Sequence, residues 1–117
     1  MSTYHVRCHC GAVQLDADLD LAALTTCNCS ICGRTGAIMA FLPADKVQNL
    51  VGEDRMTDYQ FGKERVHHAF CSVCGVRPFA RGQGEDGSAW AMVNARCIDG
   101  IDVHALEVAN RYDGKSL

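Results

Sequence analysis

No stretch of this chain approaches the roughly 20 consecutive apolar residues that cross a bilayer as a helix, so no membrane partner is expected. The opening residues Met1-Ser2-Thr3-Tyr4-His5 lack the charged-then-apolar pattern of a secretory signal. The expectation is a cytoplasmic protein whose thiols stay reduced. There is no block of like charge and no basic stripe, and 11 Lys and Arg against 14 Asp and Glu leave a net charge of −3. That balance argues against a binder of phosphate backbones, so nucleic acid is not the expected partner. Internal repeats, low-complexity tracts and linkers are missing too, and 117 residues suit one domain spanning 1–117. Finally, there is no Ser-His-Asp arrangement, no phosphate-cradling glycine loop and no nucleotide fingerprint.

What the chain does have is cysteine. Seven of its eight cysteines fall into three clusters: Cys8-x-Cys10, Cys27-x-Cys29-x-x-Cys32 and Cys71-x-x-Cys74. Without a secretory signal, such clusters read as metal ligands in preference to a disulfide framework, although the even total leaves disulfides open. Each pair supplies half of a tetrahedral site. In an extended strand, residues two apart share a face, so Cys8 and Cys10 can aim at one ion with His9 turned away. Cys71-Ser72-Val73-Cys74-Gly75 reads as a knuckle, with Gly75 free to take positive φ. Joined, the two pairs would staple an early hairpin to a late one. Such a structural zinc contributes on the order of 10 kcal/mol.

Cys27, Cys29 and Cys32 lie within six residues, so one loop can present three sulfurs to one face of an ion. Ser30 is placed to cap a helical turn beginning at Ile31. Three protein ligands and one exchangeable position is the usual arrangement of catalytic zinc. Thiolate ligands favour zinc, with iron–sulfur as the rival. Two alternatives stay open. Cys8 and Cys10 could join Cys27 and Cys29, leaving Cys32 for Cys71 and Cys74. Or the trio could be structural too, completed by Cys97 or a histidine. Cys97 otherwise reads as a buried free thiol near a strand end.

The rest of the pattern is mainly β, with little helix. Strands are expected over Tyr4–Cys10, Ala12–Ala17, Ala37–Leu42, Val47–Val51, Met56–Phe61, Val66–Phe70, Phe79–Arg81 and Ala89–Asn94. Leu19–Leu24 reads as a helical turn or loop, and Leu106–Tyr112 as a strand or short helix. His67 and His68 face opposite sides of their strand, so at most one looks toward a metal. Arg34 follows the three-cysteine loop and reads as a partner for a substrate carboxylate or a solvated surface residue. Trp90 and Phe79 read as core, and His9 and His104 as ordinary surface or packed histidines.

Cys8-His9-Cys10-Gly11-Ala12-Val13, Cys27-Asn28-Cys29-Ser30-Ile31-Cys32 and Phe70-Cys71-Ser72-Val73-Cys74-Gly75-Val76, in this order, resemble the glutathione-dependent formaldehyde-activating enzyme family, which includes centromere protein V. Weaker echoes are Pro43-Ala44-Asp45, Cys97-Ile98-Asp99 and Tyr112-Asp113-Gly114-Lys115. Asn28 and Ile31 look closer to the centromere protein V branch. The resemblance implies an Mss4-like, zinc-stapled β fold with two zinc ions per chain. It matches Cys8, Cys10, Cys71 and Cys74 to the structural zinc, and Cys27, Cys29 and Cys32 to the catalytic one. It also implies a carbon–sulfur lyase or thiol-adduct enzyme, similar to S-hydroxymethylglutathione synthase, whose partner is a small thiol or its adduct, such as glutathione. A non-catalytic zinc domain binding a protein or nucleic acid is the alternative.

Overall fold

Buried and exposed positions alternate along the strands, and that period of two builds the molecule. The computed structural model describes residues 2–116, and its regular structure is mainly β. The strands are β1 (Ser2–Arg7), β2 (Gln14–Leu19), β3 (Thr25–Cys27), β4 (Met39–Pro43) and β5 (Val47–Val51), then β6 (Met56–Tyr59), β7 (Val66–Cys71), β8 (Phe79–Gln83), β9 (Ala89–Asn94) and β10 (Asn110–Tyr112). Among the described residues the one α-helix is α1 (Cys32–Thr35); short 3-10 turns supply the other helical residues. No described helix is long and apolar enough to cross a membrane.

The strands form a three-stranded sheet in the order β1-β2-β5 and a seven-stranded sheet in the order β10-β3-β4-β9-β8-β7-β6. Leu15, Ala17 and Leu19 point inward from β2. They meet Ala40 and Leu42 of β4 and Ala91 and Val93 of β9, all buried in one cluster between the sheets. The intervening residues of the same strands, Met39 on β4 and Met92 on β9, face the other side. There they form a second, smaller cluster with Cys32, Ala37 and Ala80. This accounts for much of the apolar run around β4: Ala40 and Leu42 face the main cluster and Met39 the smaller one, while Phe41 is exposed.

Several expectations are corrected. β1 stops at Arg7, and Cys8 to Gly11 form a turn in which the Gly11 N–H donates to the Cys8 carbonyl at 3.2 Å. The Cys8 and Cys10 sulfurs therefore converge through a turn, not through the pleat of a strand. β2 begins at Gln14; the Cys8 N–H still donates to the Val13 carbonyl at 3.1 Å, the last bond before the turn. β5 and β6 flank Gly52 but belong to different sheets. β3 went unread: three residues long, it pairs in parallel with β10 and touches β4 through Thr25 and Met39 alone.

Leu15 is completely buried at the centre of the main cluster. Leu15→Ala should cost about 2–5 kcal/mol in urea unfolding of the metal-loaded protein, because neighbours on two rigid sheets cannot close the space. A loss below about 1 kcal/mol would mean that the sheets do not pack as described.

Candidate metal centres

The knuckle after β7 is built by its own backbone. The Gly75 N–H donates to the Cys71 carbonyl at 2.8 Å, and Gly75 takes φ 80°, a conformation that costs an L side chain energy. The turn aims N–H groups at the sulfurs. Those of Cys10 and Val76 pull the Cys74 thiol down to about 6. The N–H of Cys74 leads in lowering Cys71, against the opposing effect of burial.

The turn after β1 meets this knuckle. The four ligand atoms of Cys8, Cys10, Cys71 and Cys74 all lie within 4.8 Å of one another. Cys10 Sγ is 3.7 Å from both Cys8 Sγ and Cys71 Sγ. A tetrahedral ion with metal–sulfur bonds of about 2.3 Å would space its sulfurs about 3.8 Å apart. The Ala12 N–H favours the Cys10 thiolate, but burial and the neighbouring thiols prevail and push Cys10 up to about 11. Four clustered thiolates repel one another, and a cation among them removes the conflict.

Cys27 ends β3, and Cys32 opens α1. The Cys29 N–H lies 3.4 Å from Cys27 Sγ, and the Cys32 N–H lies 3.4 Å from Cys29 Sγ. These short reaches curl the loop so that its three sulfurs also lie within 4.8 Å of one another. Burial raises Cys29, but the Cys32 N–H, the neighbouring thiols and the Ile31 N–H together bring it below the ordinary thiol range. Burial and then the Cys29 thiol push Cys32 up to about 12. No other His, Cys, Asp or Glu among the described residues joins this trio. Both clusters can hold metal ions, one with four sulfurs and one with three.

The tail fixes the three-cysteine loop. The Asn28 N–H donates to the Tyr112 carbonyl at 3.2 Å, and Asn28 Nδ2 donates to Asp113 Oδ1 at 2.8 Å. The Lys115 N–H returns a bond to Asn28 Oδ1 at 2.9 Å. Gly114 is wedged beneath: a Cβ there would come within 2.5 Å of Cys27 Sγ and 3.0 Å of the Cys29 Cβ. The Tyr112-Asp113-Gly114-Lys115 motif is thus a clamp on the loop.

The trio opens on a cavity of about 830 Å³ on the outer face of the seven-stranded sheet. Its walls include Met39, Phe41, Phe61, Trp90, Met92 and Tyr112, with His68 and Arg111 supplying polar groups. Trp90, expected in the core, is a half-buried wall of this cavity, with its ring 5.8 Å from that of Phe41. A hollow of about 760 Å³ lies on the side of β7 that carries His67. It holds no cysteine, and most of its charges are paired, Arg65 with Glu85, Arg81 with Glu53 and His67 with Asp58.

His67 and His68 do face opposite ways: His67 is exposed beside Asp58, while His68 is buried and lines the cysteine cavity. His9 and His104 are exposed. Arg34 turns back to donate to the Ser30 carbonyl at 2.8 Å and does not line the cavity. Ser30 does not cap α1; Ile31 holds that position without a side-chain bond. Phe79 is core. Cys97 is half-buried, with Sγ 3.8 Å from the Arg77 carbonyl, and joins neither cluster. Burial, then the charges of Cys8 and Cys74, push its thiol up to about 11.

Sequence reasoning missed Arg77. Its Nε and Nη1 are sealed from solvent without hydrogen-bond partners, a costly arrangement for a cation. Burial lowers its pKa, while Cys32 and Cys29 oppose that. Three thiolates around a divalent ion leave one negative charge, which this guanidinium balances, so the residues present fit a metal at the trio. The available signal was a cation set in the otherwise apolar run Val76-Arg77-Pro78-Phe79-Ala80.

Gly114→Ala should weaken metal binding at the trio on the order of 10-fold or more, as displaced supporting groups do at other metal sites. Chelator competition should show one of two metals released early and the other unaffected. Equal weakening of both, or of neither, would contradict the clamp.

A solved crystal structure of a Rhodobacter sphaeroides protein is 30% identical to this chain. It superposes with a TM-score of 0.80, covering 92% of this chain and 98% of that one. The family model described as glutathione-dependent formaldehyde-activating enzyme matches residues 3–112, which include all seven clustered cysteines. The chain therefore belongs to the glutathione-dependent formaldehyde-activating enzyme family.

Proposed function

We propose that the chain is a zinc-dependent carbon–sulfur lyase or thiol-adduct enzyme of the S-hydroxymethylglutathione synthase kind, formed as one zinc-binding domain over residues 1–117. Cys8, Cys10, Cys71 and Cys74 hold a structural zinc, and Cys27, Cys29 and Cys32 hold a catalytic one. The observation that carries this reading is the trio's lack of a fourth described ligand where it meets a large cavity. The clustered, metal-ligand spacing of the cysteines suits a reducing, cytoplasmic setting.

Zinc at the trio would lower the pKa of an incoming thiol and hold the resulting thiolate for attack on an electrophilic carbon. In the addition direction the S–H bond is lost and a sulfur–carbon bond forms. The carbonyl π pair moves to oxygen, and the proton released from sulfur ends there. The reverse step breaks the sulfur–carbon bond and regenerates thiol and aldehyde. Phe41, Trp90 and Met92 wall the reacting region and limit water, which strengthens every charge interaction inside. Arg111 lines the same cavity and suits a carboxylate on the thiol. Glutathione is the thiol that the family implies.

Metal analysis should give about two zinc per chain, one more easily stripped. In a cobalt-substituted sample, glutathione should change the absorption of the trio's ion. If both ions are saturated by protein ligands and no thiol alters the spectrum, a non-catalytic zinc domain is the better description. Cys71→Ser should destabilise strongly, toward the order of 10 kcal/mol that a structural site contributes. Cys29→Ser should lose one metal and keep the fold. Indistinguishable thermal melts for these two variants would end the division of roles.

A further inference from the structure

A guanidinium can only donate hydrogen bonds. Arg77 Nη2 lies 3.2 Å from His68 Nδ1, so that nitrogen must carry the lone pair. The proton of the neutral ring is thereby forced onto Nε2. Nε2 makes no hydrogen bond to the protein among the described residues, and it is not one of the sealed, unpartnered atoms. His68 is 8% exposed, and what it exposes lines the cavity shared with the cysteine trio. The ring is held on its face as well. Phe61 stacks on it at 5.3 Å, and Tyr59, paired with His68 across β6 and β7, stacks on Phe61 at 5.7 Å.

We propose that Arg77 holds His68 as a neutral, Nε2-protonated hydrogen-bond donor to the substrate oxygen in the cavity beside Cys27, Cys29 and Cys32. The proposal rests on the thiol-adduct reading above and deepens it, because it calls for an electrophile that carries oxygen on the attacked carbon, an aldehyde or its adduct. His68 does not take the thiol proton, since its one free nitrogen already carries a hydrogen. It donates to the oxygen as negative charge gathers there, and the proton lost from sulfur reaches that oxygen through solvent. Arg77 acts through His68 and is a positioning residue. Its second task, balancing the charge of the trio, explains why a cation is tolerated at such depth.

The groups around the ring agree with a neutral donor. Burial and then Arg77 lower the pKa of His68; Asp58 on β6 raises it, and His67 lowers it. Arg111 and Tyr112 line the same cavity as the three cysteines. Protonation of His68 therefore falls below the ordinary value of 6.5, and the donor persists at that pH and above.

The test uses the zinc-loaded full chain labelled with ¹⁵N at histidine. Nδ1 of His68 should show the shift of a lone-pair nitrogen and Nε2 that of a protonated one, with no titration step near pH 6.5. Arg77→Met should mix the tautomers and move the titration up toward 6.5. A proton on Nδ1, an ordinary titration in the unsubstituted protein, or no change in Arg77→Met would overturn the proposal, and the first two need no variant. With glutathione and formaldehyde as the probe pair, His68→Leu should lower kcat on the order of 10²-fold with little change in KM. His68→Gln, which keeps an N–H donor, should recover much of that loss. Full kcat in His68→Leu would also overturn the proposal. Absence of turnover by the unsubstituted protein would count against the reaction itself, leaving the ring-nitrogen shifts to decide the role of His68.

Discussion

Thiolates gathered at van der Waals distance repel one another, and the rest of this structure depends on how that repulsion is relieved. At the four-cysteine cluster, a turn and a knuckle remote in sequence converge with sulfurs 3.7 Å apart. Backbone N–H groups stabilise part of the negative charge, most visibly at Cys74, while Cys10 is driven the other way. That split marks a site built around a cation. A divalent ion shared by all four sulfurs would tie the turn after β1 to the end of β7. It would add a link between the three-stranded and seven-stranded sheets where Cys8, Val13 and Cys71 already pack in the main cluster. The hydrophobic core between the sheets supplies the area; a metal at the four sulfurs would help fix one sheet on the other.

The second cluster is held differently. Its sulfurs come from one loop, so no long-range closure follows from binding there. The loop is instead gripped by the tail through Asn28 and by the close approach of Gly114. A clamp outside the ligand set leaves the cavity side free. On the proposed reading this is the difference between a staple and a reactive centre: an ion among four sulfurs would have every coordination position filled in holding the fold, while one at the trio would be held by bonds that leave a position over.

The cysteine clusters were legible because metal ligation needs particular residue types at short spacings. β5 and β9 were legible to the residue because their apolar runs end in recognisable turns. β3 was not, and β10 was read only as one alternative for Leu106–Tyr112, since three-residue strands exist through pairing with distant partners and carry no period of their own. Cys8 to Cys10 were misread as strand because a short alternation does not reveal where the ladder stops. Trp90 was read as core; it packs against the smaller cluster and also walls a cavity that the sequence could not display. Arg77 escaped notice because its meaning lies in what it touches. Its hydrogen bond to His68 and its electrostatic coupling to Cys29 and Cys32 join three separate segments of the chain.

Charge accounting connects these observations. Four thiolates on a divalent ion carry two negative charges, and the exposure of Cys10 lets solvent screen them. Three thiolates on such an ion carry one, and the half-buried Arg77 cancels it. An incoming thiol that loses its proton brings the assembly to a single negative charge, which an apolar cavity can hold only with help. In the proposed addition step that charge would pass from sulfur to the carbonyl oxygen, within the cavity that His68 lines. A neutral imidazole N–H is suited to meet it there: it stabilises developing negative charge without introducing a second cation next to the guanidinium. A protonated His68 would be repelled by Arg77, and a His68 with its lone pair toward the cavity would repel the oxygen. The donor state is the one arrangement of this ring that both Arg77 and an oxygen-bearing substrate can accept.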